Sequence, residues 1–202
     1  MKFHETPLPG AMLVEIEPIA DQRGFFARTW CSREFESQGL SGAMVQASIS
    51  RNERKGTVRG MHMQLPPSRE AKLVRCTQGA IHDVIVDMRP ESVCYLKNFS
   101  VELSARNHQA LFIPPQMAHG FQTLEDGSEV LYQMSDFHVP ELACGWRWND
   151  PTFGIRWPIG ESITILPRDA EYPDFDDYGF RRRLQYGARA PDESSGLPGS
   201  GA

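Results

Sequence analysis

Short strand-like runs recur from about residue 12 to residue 157, separated by Gly, Pro, Asn and Asp. This rhythm limits the fold more than any other feature of the chain. Clear examples lie at residues 44–50, 81–87, 99–103 and Ala110–Ile113. A parallel sheet needs long crossovers, usually helical, and no such pattern intervenes. The expectation is an all-β antiparallel barrel or sandwich with a few short helices. The one helical candidate is residues 32–38, with Ser32 as N-cap and Gly39 as stop. The 202 residues suffice for one domain with a substantial core, expected over residues 1–178. Residues 179–202 read as a C-terminal tail, its last stretch APDESSGLPGSGA being disordered in character. Arg181-Arg182-Arg183 in that tail reads as a solvated or packing surface.

Four polar side chains ride the apolar faces of these runs: His62, Lys72, His119 and Tyr132. Period-two alternation groups His62 with Val58 and Gly60, and Lys72 with Val74 and Cys76. Tyr132 shares a face with Val130 and Met134, and His119 alternates with Phe121. An inward ionisable group is costly unless it is paired, liganding or catalytic. Four in one small chain imply a lined pocket.

Bulk properties exclude some partners. The net charge of −5 offers no field that would gather nucleic acid. No apolar run reaches the length of a membrane span, and MKFHETPLPG lacks a signal-peptide layout, so a cytoplasmic address is expected. Cys31, Cys76, Cys94 and Cys144 have no paired spacing and read as reduced thiols.

A metal site in a barrel commonly takes His at alternate strand positions. The position after His62-Met63 is Gln64, a poor ligand; His119 and Glu70 would leave the set incomplete. His62 is instead suited to general-base work. Asp83, Asp87, Asp150 or Asp169 could orient it, and spacing does not choose among them. Lys72 is the natural stabiliser of a developing oxyanion, and the Tyr132 phenol a natural acid on another wall. Arg23 and Arg59 each precede a glycine, and a guanidinium fork suits phosphate. In a regular strand Arg59 faces away from His62, unless Gly60 marks a bulge that re-aims one of them. No glycine-rich phosphate loop is present, so side chains must hold any phosphate. Gln46 and Ser48 offer a polar wall.

Several segments together resemble the dTDP-4-dehydrorhamnose 3,5-epimerase family. They are Asp21-Gln22-Arg23-Gly24-Phe25-Phe26, Val45-Gln46, Lys55-Gly56-Thr57-Val58-Arg59-Gly60-Met61-His62 and Ala71-Lys72-Leu73-Val74. Further on come Ile113-Pro114, Ala118-His119-Gly120-Phe121, Trp148-Asn149-Asp150-Pro151 and Ile155-Arg156-Trp157-Pro158. Order and spacing hold over roughly residues 9–175. The resemblance implies a cupin-type jelly roll, usually a homodimer, with no metal and no organic cofactor. It implies a nucleotide-diphosphate 4-keto-6-deoxy sugar as substrate, whose ketone acidifies the C3 and C5 hydrogens. In that scheme His62 removes a proton, Asp169 orients His62, Lys72 holds the enolate oxygen and Tyr132 reprotonates the opposite face. Arg23, Gln46, Ser48, Arg59, Lys72, His119 and Arg168 would bind substrate, with Arg23 reaching into a neighbouring subunit.

The chain departs from the family pattern at four positions. Arg28 and Ala143 replace Glu, Ser48 replaces Asn, and Phe137 replaces a pocket tyrosine. These suggest intact chemistry on a changed handle, such as a CDP-linked sugar, with inversion at C3, C5 or both. The alternatives are a 3,4-ketoisomerase on the same scaffold and a non-catalytic nucleotide-sugar binder.

Overall fold

The computed structural model describes residues 1–186. Its first half carries β1 (Lys2–Glu5), β2 (Met12–Glu15), β3 (Ile19–Asp21), β4 (Gly24–Phe26), α1 (Ser32–Ser37), β5 (Gln46–Asn52), β6 (Val58–Gln64) and β7 (Lys72–Gln78). There follow β8 (Ala80–Asp87), β9 (Asn98–Ser104), β10 (Ala110–Ile113), β11 (Met117–Thr123), β12 (Ser128–Met134), β13 (Ala143–Gly145), α2 (Pro167–Ala170) and α3 (Asp177–Tyr186). One sheet has the order β1-β2-β10-β7-β12-β5, a second β13-β6-β11-β8-β9, and β3-β4 form a separate hairpin. The strand pairs within all three are antiparallel.

Alternation explains what lies between the sheets. Val74 and Cys76 of β7, Leu111 and Ile113 of β10 and Val130 of β12 point inward from one sheet. Ile81, Ile85, Leu103, Met117 and Phe121 meet them from the other, and Tyr132 packs against this cluster. Burying an aliphatic or aromatic side chain of this size contributes about 1.5–3 kcal/mol, so the layer dominates the fold's stability. The outer faces are covered as well. Met61, Met63, Val84 and Val86 pack under Trp146, Phe153 and Phe180, while Leu73, Ala110 and Phe112 pack against Phe35 of α1.

Several sequence expectations need correction. α1 is capped at Cys31 rather than Ser32, without a side-chain cap bond, although Gly39 ends it as expected with φ +72. The β5 strand starts at Gln46, two residues late, and Met44 before it packs against the cluster that holds Phe35. Packed structure continues past residue 178, since α3 carries the buried Phe180 into the core. Arg181 pairs with Asp177 and stacks on Tyr95, and Arg182 lies over Tyr178, so the basic cluster makes packing contacts. Residues 187–202, which hold the rest of the expected tail, lie outside the described residues. The four cysteines are free. No helix among the described residues is long and apolar enough to cross a membrane.

Candidate active site

The β6–β11 pair departs from regular register at the residues that matter most. His119 lies opposite His62, but Phe121 lies opposite Arg59, so three steps on β6 match two on β11. The extra residue is a bulge at Gly60-Met61. Alternation alone would put Arg59 and His62 on opposite faces; the bulge brings both to one cavity. His62 therefore shares a face with Arg59, and the expected grouping with Val58 and Gly60 is broken. Only glycine fits here. Gly60 has φ +115, and a Cβ on it would lie 2.5 Å from the Gly120 Cα.

The cavity has two lobes joined by His62, Lys72 and Arg168. The lobe of about 310 Å³ adds Arg59, His119, Tyr132 and Asp169. The lobe of about 500 Å³ adds Glu70, His138, Ala143, Cys144 and Tyr172. A further cavity of about 630 Å³, between β13 and α3, shares Ala143, Cys144 and Tyr172 with the larger lobe and holds no histidine. The first two are the candidate site, because the inward titratable groups converge there.

The four carboxylates that spacing left open as partners of His62 have separate roles. His62 Nε2 lies 2.9 Å from Asp169 Oδ1, and the Gly60 N–H donates to Asp169 Oδ2 at 3.3 Å. Asp83 instead meets His119 Nε2 at 2.7 Å. Asp87 accepts from Arg89 and Ser92, while Asp150 accepts from the backbone N–H groups of Thr152 and Phe175. Burial alone would raise the Asp169 carboxyl. The hydrogen bond and charge of His62, with Gly60 and Arg168, outweigh it and hold the group below the usual carboxylate range. An ionised carboxylate only accepts, so Nε2 of His62 carries the proton and Nδ1 is the basic nitrogen. The His62 side chain keeps 37% of its surface while Asp169 keeps 4%. The base is thus reachable and its partner is not.

Tyr132 stands on the facing sheet, its ring edge-on to His119 at 5.8 Å between centroids. Burial, reinforced by the charge of Asp83 and opposed by Arg59, drives its phenol far above the ordinary value. It stays protonated at neutral pH and has a proton to give. Lys72 extends into the same space from the start of β7, where it is ion-paired with Glu70.

Other expected binding residues lie elsewhere. Arg23 is exposed on the β3–β4 hairpin, paired with Asp21 at 2.6 Å, and lines neither lobe. Gln46 accepts from the His138 N–H, and Ser48 is exposed on the edge strand β5; neither lines the lobes, whereas Ser50 of that strand does. Gln64, the non-ligand of the metal reading, bonds to Phe137 O and the Val139 N–H. Among the described residues no three His, Cys, Asp or Glu side chains are grouped to hold a metal ion. Of the departures, Arg28 pairs with Glu34 at 2.7 Å, Phe137 is exposed and Ala143 lines the larger lobe. Sequence reasoning missed Tyr172, whose ring sits 6.3 Å from that of His62. It follows a short helix, and no periodic pattern marks it.

Comparison with known proteins identifies the family. The family model for dTDP-4-dehydrorhamnose 3,5-epimerase matches residues 5–177. The enzyme of that name from Escherichia coli strain K12 is 38% identical over 178 residues, 88% of this chain and 96% of the relative. The crystal structure of a dTDP-4-dehydrorhamnose 3,5-epimerase from Elizabethkingia anophelis NUHP1 superposes with a TM-score of 0.84. It is 34% identical, covering 87% of this chain and 96% of that one. A Legionella pneumophila dTDP-6-deoxy-D-glucose-3,5-epimerase in complex with dTDP-4-keto-L-rhamnose gives a TM-score of 0.80. Its identity is 31%, over 85% of this chain and 90% of that one. The fold is the expected cupin-type jelly roll. The chain is a member of the dTDP-4-dehydrorhamnose 3,5-epimerase family.

Proposed function

We propose that this isomerase epimerises a dTDP-linked 4-keto-6-deoxy sugar at C3 and C5. The observation that carries the reading is the placement of His62 and Tyr132 on facing sheets around one cavity. Nδ1 of His62 removes the proton next to the ketone, with Asp169 holding the imidazole. Negative charge moves to the carbonyl oxygen, where the Lys72 ammonium stabilises it. The protonated phenol of Tyr132 returns a proton to the opposite face, which inverts the centre. Arg59 and Arg168 border the lobe that holds these groups and are suited to the diphosphate. No metal or organic cofactor takes part in this scheme.

The nucleotide follows the relatives, which are named for dTDP sugars, and the expectation of a CDP handle gains no support from them. A ketoisomerase has no use for an acid on the opposite face, and Tyr132 supplies one. A mere binder has no use for a base held in one tautomer.

The active form in this reading is a homodimer. The β3–β4 hairpin displays exposed Ile19, Phe25 and Phe26 beside the exposed Arg23, and the edge strand β5 displays Ile49. Such a patch favours a second copy of the chain, whose cleft would receive Arg23. Light scattering that returns a monomer mass at working concentration would remove this part of the reading.

NMR of the product formed from dTDP- and CDP-4-keto-6-deoxyglucose in heavy water tests the whole. Deuterium at inverted C3 and C5 with the dTDP sugar is the expected result; absence of exchange overturns it.

A further inference from the structure

The Lys72 ammonium is not alone in the cavity. It is ion-paired with Glu70, and the two side chains keep only 15% and 9% of their surface. Both line the larger lobe with His62. A carboxylate in a pocket that must accept a diphosphate and a developing enolate opposes the ligand it surrounds. Taking it out of water is also costly before pairing offsets it. A general cation site would be better without it.

What Glu70 supplies is a fixed mount. Its own N–H donates to Ser68 Oγ at 3.2 Å, and Ser68 in turn donates to Asp136 Oδ2 at 2.8 Å. The N–H of Arg69 reaches the same Asp136 oxygen at 3.2 Å, and the Ala71 N–H donates to Ser135 Oγ at 2.8 Å. The backbone on both sides of Glu70 is thereby tied to the end of β12. Lys72 carries its charge on a flexible four-carbon stem with many rotamers, so an unheld ammonium is poorly placed. An ammonium has three donors, so one bond to Glu70 leaves two for a ligand.

We propose that Glu70 is a positioning residue for Lys72. It holds the ammonium at the junction of the two lobes, so that the cation is in place when charge develops on the substrate's carbonyl oxygen. The proposal rests on the role given to Lys72 above. An oriented charge acts in the transition state more than in substrate binding, so the loss should appear in kcat rather than KM.

The test is a double-mutant cycle on the full chain, read by deuterium incorporation integrated over hours. Glu70→Ala should lower kcat about tenfold with KM changed less than about twofold, because small misplacements of catalytic groups are costly. Glu70→Gln, which keeps an acceptor at the same reach, should recover most of that loss. In a Lys72→Met background, Glu70→Ala should cost less than about twofold. Glu70→Ser replaces the alanine variant if the latter does not fold. Wild-type kcat in Glu70→Ala, or the same tenfold loss with Lys72 absent, overturns the positioning role while leaving Lys72 intact. Unchanged turnover in Lys72→Met overturns the underlying reading of Lys72 and the proposal with it.

Discussion

His62–Asp169 and His119–Asp83 are two imidazole–carboxylate pairs whose histidines face each other in register across β6 and β11, while Asp169 comes from α2 and Asp83 from β8. Their contact distances, 2.9 and 2.7 Å, are nearly the same. Their access is not. The His62 side chain keeps 37% of its surface, whereas His119 keeps 5% and Asp83 none. A base must reach a substrate proton and later release it, so only the first pair suits proton transfer. The second is held between the sheets beside Tyr132, where it shapes the acid's surroundings. Identical side-chain chemistry takes different roles because the two imidazoles differ in access.

Removing each imidazole should separate the pairs. His62→Ala should lower exchange by roughly 10²–10⁴-fold, the usual contribution of a placed base. It should cost less stability in urea unfolding than the loss of His119, because the ring is partly exposed and Asp169 keeps the Gly60 N–H and Arg168 as partners. His119→Ala should cost roughly 3–5 kcal/mol, because it leaves Asp83 buried without its partner. Equal stability losses would mean that access does not distinguish the two.

A smaller effect sharpens the electrostatic side. The Asp169 carboxyl sits below its ordinary value in the fold. Such a group stabilises the fold above its unfolded pKa, near 3.9, and that contribution is lost as the pH falls through the lower folded value. The stability gap between wild type and Asp169→Asn should therefore be widest at neutral pH and narrow below about pH 4. A gap that widens with acid would reverse the assignment.

Much of this was legible before any coordinates. The runs at residues 81–87 and Ala110–Ile113 are apolar enough that alternation and turn residues placed β8 and β10 closely. Lys72, His119 and Tyr132 face inward because their strands alternate regularly around them; the one irregularity of β7 falls beyond Cys76. Arg59 was ambiguous, since a one-residue bulge reverses a strand's facing and only Gly60 hinted at it. Asp169 lies 107 residues from His62, so no local pattern links them, and only the family resemblance pointed to it. The α3 helix was missed because its described side chains bury only Phe180 and Leu184 against the core, a one-turn signal among arginines.

The central claim is that protons leave from one face and return from the other. Tyr132→Phe, incubated with the dTDP-4-keto-6-deoxy sugar in heavy water and followed by NMR, tests it most directly. The account predicts that deuterium still exchanges through His62 while inverted product falls by roughly 10²-fold or more. Inverted product forming at the wild-type rate would contradict it.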